Sequence, residues 1–141
     1  MIRFPFYQPK SKYRNEKVTF QGMSFDSKKE LQRYLFLLDA ERRGVISDLQ
    51  RQVKFELIPA ITEEYVEHLK TKDKVKTRTL QLAINYCCDF TYKHGDTLVV
   101  EDVKSSPNTA ALDDTFLIKE KLFFWKYGYR IRRVYKPTEP I

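Results

Sequence analysis

The feature that most constrains the fold is a pair of apolar strands joined by a short turn. Leu80–Tyr92 and Thr97–Val103 have strand composition, and Lys93-His94-Gly95-Asp96 between them is a turn signal. The second strand is almost continuously apolar over residues 98–100, which indicates burial on both faces. The chain therefore needs a sheet with a covering layer on each side.

Two helices are predicted, one before and one after these strands. Ser27-Lys28-Lys29-Glu30 has the spacing of a capping box, and apolar residues recur at helical spacing over residues 31–38. A second helix, capped by Asp113 or Asp114, is predicted to run to about Tyr127.

Val45–Ile58 and Tyr129–Tyr135 are predicted as further strand regions. The stretch 60–79 has two interpretations, because Thr62–Lys70 fits more strand or a short helix, while the strongly basic Lys70–Arg78 fits a loop or hairpin tip. The order helix, three strands, helix, strand predicts an α/β fold with a mixed central sheet flanked by two helices.

The length of 141 residues fits one domain with one core. We predict a basic N-terminal arm over residues 1–20 and a single domain over residues 21–141. In the arm, Lys10, Lys12 and Arg14 interleave with aromatic residues. This composition fits contact with a nucleic-acid backbone, and equally a mobile, solvated terminus.

The formal net charge of +7 favours polyanionic partners, nucleic acid before an anionic membrane surface. No apolar run is long enough to span a bilayer. The two cysteines, Cys87 and Cys88, are adjacent and would point to opposite faces of a strand, so we expect reduced thiols in a cytoplasmic protein.

Acidic residues lie inside the apolar strands, where carboxylates are costly unless they are paired or bind a metal. Asp89 is predicted mid-strand, and Asp102 and Lys104 end the buried strand. A two- or four-residue turn would place Asp89 opposite Val100, on the face that carries Asp102 and Lys104, with Glu101 on the other face. A three- or five-residue turn would place Glu101 beside Asp89 instead.

Two neighbouring carboxylates with an ammonium group beside them suit Mg²⁺, or Mn²⁺ as a substitute, because hard cations prefer oxygen ligands. Such an ion can activate water for attack on a phosphodiester, with Lys104 positioning that water. The alternative is an ordinary Asp–Lys ion pair at a strand end.

Asp89 followed by Asp102-x-Lys104 at the end of an apolar strand resembles the D…(D/E)xK motif of the PD-(D/E)XK nuclease superfamily. The segment Phe25–Leu31 resembles the first-helix acid motif of transposon-end endonucleases. Over roughly residues 12–135 the chain resembles a phage-encoded branch of formerly unknown function, related also to Holliday junction resolvases. Two departures are Cys88, where proline often precedes the aspartate, and Asp102, where glutamate is commoner.

The resemblance implies a restriction-endonuclease-like αβββαβ core and a Mg²⁺-dependent cutting site made by Glu30, Asp89, Asp102 and Lys104. Glu30, Asp89 and Asp102 would be the metal ligands. Glu30 has a second interpretation as the capping-box residue, and one side chain can serve both purposes. A residue of the second helix, Lys119 or Lys121, is a candidate helper.

The leading functional hypothesis is a DNA endonuclease of phage type, selective for branched or junction DNA in replication or recombination. A junction resolvase would be a homodimer, because two strands must be cut symmetrically. The alternative is a non-catalytic nucleic-acid-binding protein of nuclease-like fold; a membrane-surface role is disfavoured. The predicted nucleic-acid contacts are Lys10, Lys12, Arg14, Lys72, Lys74, Lys76, Lys119 and Lys121. We interpret Trp125 as a core residue, with a base-stacking platform as the alternative.

Overall fold

The computed structural model describes residues 16–108 and 112–141. Within these residues the chain forms two helices and ten strands. The helices are α1 (Lys28–Arg42) and α2 (Asp114–Tyr127). The strands are β1 (Val18–Phe20), β2 (Met23–Phe25), β3 (Ser47–Arg51), β4 (Lys54–Ile58), β5 (Ile61–His68), β6 (Asp73–Gln81), β7 (Ile84–Cys87), β8 (Phe90–His94), β9 (Thr97–Val103) and β10 (Arg132–Val134).

A four-stranded mixed sheet forms the centre of the protein, in the order β10-β9-β8-β3. The strand β10 runs parallel to β9, whereas β9 with β8 and β8 with β3 are antiparallel. The remaining strands form three two-stranded units, β1–β2, β4–β7 and β5–β6. The predicted α/β fold with a mixed sheet and two helices is confirmed.

The two helices contribute to two different hydrophobic clusters of the core. Leu37 and Ala40 of α1 pack with Phe90 and Tyr92 of β8. Phe116 and Phe123 of α2 belong to the second cluster, which also includes Val100 of β9, Leu57 of β4 and Tyr86 of β7. Since Val100 and its neighbours in β9 contribute to both clusters, the apolar run that ends in Asp102 is covered by the two layers that the sequence requires.

Both helices begin where the sequence predicts, and α2 also ends at the predicted residue, Tyr127. Ser27 is the N-cap of α1, and its Oγ accepts a hydrogen bond from the Glu30 N–H at 3.1 Å. Asp113 caps α2 in the same way through Thr115. Gly128 ends α2 with φ +79°, a left-handed conformation that glycine adopts without a Cβ penalty.

The prediction of one strand over Leu80–Tyr92 is wrong, because this stretch is divided among three strands. β6 ends at Gln81, β7 pairs with β4, and β8 pairs with β3 and β9. The chain passes from one sheet to the next at Cys88 and Asp89. Asp89 therefore lies at a bend between two strands and not in the middle of one.

The pairing register of the β8–β9 hairpin differs by two residues from the predicted register. Each side chain nevertheless lies on the predicted face of the sheet. The turn is the two-residue Gly95-Asp96, and Thr91, not Asp89, lies opposite Val100. An even shift leaves every side chain on its face, because side chains alternate with a period of two.

The segment with two interpretations, residues 60–79, is an antiparallel hairpin of β5 and β6 that turns near Leu69–Lys72.

Residues 1–15 of the predicted arm lie outside the described part of the chain, while Val18–Phe20 forms β1, paired with β2. Trp125 is 81% exposed, so its prediction as a core residue is wrong. Neither helix has the length and apolar character that a membrane crossing requires among these described residues.

Candidate active site

Asp89 is fixed by its backbone on both sides of the bend. Its N–H donates to the carbonyl of Glu101 at 3.1 Å, and its own carbonyl accepts from the Gln52 N–H at 2.9 Å. The carboxylate then reaches along β9, where Oδ2 accepts the Val103 N–H at 2.7 Å. The bend therefore places the half-buried Asp89 carboxylate next to the end of β9.

Asp102 lies at that strand end and is only 7% exposed. Its Oδ1 lies 2.8 Å from Lys104 Nζ, and its Oδ2 accepts a hydrogen bond from the Tyr86 hydroxyl at 2.5 Å. The Lys104 ammonium also lies 3.5 Å from the centre of the Phe116 ring, a cation–π contact with α2. Asp102 and Lys104 are therefore held by contacts on several sides.

Glu30 approaches the same place from the first turn of α1 and is 3% exposed. Its Oε2 accepts the Asp26 N–H at 3.1 Å, so the side chain does cap the helix, one residue earlier than in a standard capping box. Its Oε1 is buried and has no hydrogen-bond partner among the described residues, and the nearest cation, Arg51, is 4.0 Å away. One oxygen of Glu30 is thus engaged in capping, while the other receives no hydrogen bond within the described part of the chain and has only the distant Arg51 as a charge partner.

The three carboxylates lie within one another's electrostatic field. Burial, followed by the charges of Asp102 and Glu30, raises the pKa of Asp89 to about 8. Burial is also the main cause that raises the pKa of Glu30, and Asp102 adds to it. Burial and mutual repulsion both disfavour the ionised form of these carboxylates. A bound cation would offset that repulsion.

The donor set fits a hard divalent cation, since it consists of carboxylate oxygens, one of them buried without a hydrogen bond from any described residue. Glu30, Asp89 and Asp102 are the residues that could hold it. In the arrangement described, no three His, Cys, Asp or Glu side chains of residues 16–108 and 112–141 are already close enough to enclose a metal ion.

Glu101 points to the other face of the sheet, as predicted for a two- or four-residue turn. Its carboxylate receives hydrogen bonds from Arg33 at 2.6 and 2.9 Å and from the Tyr92 hydroxyl. Arg33 and Glu101 are both completely buried. This buried ion pair links α1 to β9, so we assign Glu101 a structural role on the α1 side of the sheet.

Two residues next to the carboxylates were not predicted from the sequence. Tyr86 belongs to β7, and burial followed by the nearby Asp102 raises the pKa of its hydroxyl, so it remains a donor to Asp102. Arg51, at the end of β3, lies 3.8 Å over the Phe25 ring and donates to the Ser24 carbonyl at 2.7 Å. Neither has a local sequence signal, because each reaches the site from another unit of the fold.

The predicted nucleic-acid contacts fall in separate places. Lys10, Lys12 and Arg14 lie outside the described residues. The hairpin lysines lie at the tip or along β6: Lys72, Lys74 and Lys76. Of these, Lys76 forms an ion pair with Glu67. On α2, Lys119 and Lys121 line two different grooves.

The cysteines are free, as predicted. Cys88 is buried, and burial raises the pKa of its thiol to about 12, so it stays protonated and unreactive. Burial also raises the pKa of Cys87. The site therefore uses oxygen and nitrogen groups, and the thiols do not take part.

A comparison with protein families gives one match, which covers residues 10–137. The matching family is described as a protein of unknown function, DUF1064. The chain belongs to the DUF1064 family. The match spans Glu30, Asp89, Asp102 and Lys104, so the whole carboxylate cluster of this DUF1064 protein lies within the family's extent. No curated protein and no solved structure matches the chain.

Proposed function

We propose that this DUF1064 protein is a Mg²⁺-dependent DNA endonuclease that hydrolyses phosphodiester bonds at Glu30, Asp89, Asp102 and Lys104. Mn²⁺ would substitute for Mg²⁺. The observation that supports the proposal is a group of three carboxylates and one ammonium group near the end of β9, in which Glu30 Oε1 is buried and receives no hydrogen bond from the described residues.

The topology supports the further proposal of a PD-(D/E)XK nuclease with a restriction-endonuclease-like core. If the two-stranded units are set aside, the remaining elements run α1, β3, β8, β9, α2, β10. That order is αβββαβ, and the strands of this set are those of the central sheet. The carboxylates lie at the end of its β9 strand, next to the N-terminus of α1.

Each residue has a distinct part in the proposed reaction. Asp89, Asp102 and Glu30 would hold Mg²⁺, which supplies positive charge to the phosphate oxygens and lowers the pKa of water. Lys104 presents its ammonium group beside Asp102, where it can orient the attacking water and offset charge that develops on the phosphate. Tyr86 holds Asp102 from the opposite side, and Arg51 lies beside Glu30.

The substrate we propose is DNA of phage replication or recombination in the cytoplasm, in branched or junction form. The formal net charge of +7 supports a polyanionic substrate. Cutting a four-way junction symmetrically would need a homodimer, with one site for each strand.

The test is a cleavage assay on single-stranded DNA, duplex, flap, four-way junction and RNA, in Mg²⁺, Mn²⁺ or EDTA. We expect DNA to be cut in Mg²⁺ and Mn²⁺ and to stay intact in EDTA. The variant Asp102→Asn should cut at least about 100-fold more slowly while still binding DNA.

A matched control is Asp96→Asn in the β8–β9 turn, which removes one carboxylate at the far end of the same hairpin. It should cut like the wild type. If no substrate is cut, or if Asp102→Asn cuts as fast as Asp96→Asn, the proposed function is wrong.

A further inference from the structure

A groove of about 460 Å³ lies between α2 and the segment that leads into β10. Its volume is in the range of sites that hold a small molecule or one nucleotide. The groove is lined by Glu120, Lys121, Phe124, Arg130, Ile131 and Arg133.

The positive charges of this groove are not balanced. Arg133 is paired with Glu120 through two hydrogen bonds of 2.7 and 2.5 Å, so these two charges offset each other. Lys121 and Arg130 form no ion pair with any residue in the described ranges, and both are exposed. The groove therefore presents two available cations.

An exposed aromatic ring lies beside these cations. Phe124 is 47% exposed, and the Arg130 guanidinium lies 5.5 Å from the centre of its ring. A ring next to cations is the combination with which proteins bind a nucleic-acid strand, since the ring stacks on a base while the cations contact phosphate.

The groove is connected to the carboxylate site through Phe116 and the sheet register. Arg133 of β10 lies beside Asp102 of β9 in the parallel pair. The Phe116 ring lies 3.5 Å from Lys104 Nζ and 5.8 Å from the Arg133 guanidinium carbon, so one ring separates the catalytic lysine from the groove. A strand whose phosphate lies at Lys104 would have to pass Phe116 to reach the groove.

We propose that this groove is a subsite for a nucleotide of the strand that is cut, adjacent to the cleaved phosphate. Lys121 and Arg130 bind the phosphate, and Phe124 stacks on the base. The proposal rests on the proposed function, since it takes nucleic acid as the ligand. It adds Arg130 and Phe124 to the residues that contact substrate.

The test measures binding without cleavage, by fluorescence anisotropy of a labelled single-stranded oligonucleotide and a labelled duplex in EDTA at several salt concentrations. The double variant Lys121→Ala/Arg130→Ala should weaken binding at least 10-fold. The slope of log affinity against log salt should fall by about 0.7 to 0.9, because the contact with one phosphate is lost. Lys93→Ala, an exposed lysine at the opposite end of β8, is the control and should change little.

Phe124→Ala separates stacking from charge. It should weaken binding of the single strand about 10-fold and leave the salt slope unchanged. The charge-preserving double variant Lys121→Arg/Arg130→Lys should keep the wild-type salt slope, and it guards against a loss caused by misfolding.

The outcomes for this subsite and for the proposed function are distinguishable. If DNA is not cut but the double variant binds DNA more weakly and with a smaller salt dependence, the subsite is supported and the nuclease proposal is wrong. If DNA is cut and the double variant binds as tightly as Lys93→Ala, the subsite is overturned while the nuclease stands. In a cleaving protein, the double variant should raise KM with kcat within about twofold of wild type, as expected for a binding residue.

Discussion

At the residue scale, the carboxylates of this protein divide into two kinds that sequence spacing alone barely separates. Glu101 and Asp102 are neighbours in β9, yet Glu101 is enclosed by Arg33 and Tyr92 while Asp102 faces Lys104, Tyr86 and the field of Asp89. The Glu101 carboxylate is neutralised by a buried ion pair with Arg33. Asp102 is paired with Lys104 and also lies in the field of two further carboxylates, Asp89 and Glu30.

Asp89→Asn should stabilise the metal-free protein at high pH. The folded-state pKa of Asp89 is raised to about 8, above its ordinary value of about 3.9, so the folded state holds the proton more tightly than the unfolded state. The stability from this group is present below pH 4 and is lost as pH rises through 8. In EDTA the variant should exceed wild type by about 1–3 kcal/mol at pH 9 and by much less at pH 5.

Urea unfolding at the two pH values checks this, with Asp96→Asn as the control that removes an exposed carboxylate from the hairpin turn. A variant that is less stable than wild type at pH 9 would show that the Asp89 carboxylate is already well compensated without a metal.

Lys104→Met should slow cleavage about 100- to 1,000-fold while it changes DNA affinity little. The ammonium group lies 2.8 Å from Asp102 and is proposed to act on charge that develops during the reaction, so its loss affects the chemical step most. Single-turnover rates and anisotropy measure the two quantities separately. A rate within threefold of wild type would exclude Lys104 from the chemistry.

Arg33→Leu should cost about 3–5 kcal/mol of unfolding free energy, because it leaves Glu101 charged and buried without its main partner. It also removes the donors to the carbonyls of Pro137 and Glu139, which tie down the C-terminal segment. The double variant Arg33→Leu/Glu101→Leu should recover part of this loss in urea unfolding. If both single and double variants unfold like wild type, the pair is not a structural element of the core.

At the element scale, the sequence predicts those parts of the fold whose signals are local. The caps and apolar spacing of α1 and α2 lie within each helix, and the turn at Gly95 lies within one hairpin. The division of Leu80–Tyr92 into three strands depends on which distant strand each piece pairs with, and composition does not contain that information. Tyr86 was missed for this reason, since it reaches Asp102 only because the chain bends at Cys88 and Asp89.

The β5–β6 hairpin is an element that can be removed. No other described helix or strand packs extensively against it, and Ile58 and Ile84 at its base are paired. Replacing residues 59–83 by Asn-Gly would join β4 and β7 through a two-residue turn. We expect the remaining protein to fold with a Tm within about 5 °C of wild type.

The same deletion should weaken DNA binding several-fold, since it removes Lys72 and Lys74 near the hairpin tip. Circular dichroism melting and anisotropy measure both effects on one sample. A deletion protein that does not fold would show that the hairpin contributes to the core, and unchanged DNA affinity would remove its lysines from the predicted contact surface.

At the scale of the whole molecule, the site is assembled from four separate parts of the chain. Glu30 comes from α1, Asp89 from the bend before β8, Asp102 and Lys104 from the end of β9, and α2 supplies Phe116 beneath the lysine. The faces of the β8–β9 hairpin were predictable by parity, whereas the sequence did not decide between cap and ligand for Glu30. In the structure one Glu30 oxygen accepts the capping hydrogen bond, and the other accepts none from the described residues.

The central claim is that these carboxylates form a divalent-cation site. Its most direct test is Mn²⁺ titration at pH 8, followed by the electron paramagnetic resonance signal of free Mn²⁺, for wild type, Asp102→Asn and Asp96→Asn. We expect saturable binding to wild type and Asp96→Asn, and at least about tenfold weaker binding to Asp102→Asn. The absence of saturable binding to wild type, or equal binding to Asp102→Asn, would contradict it.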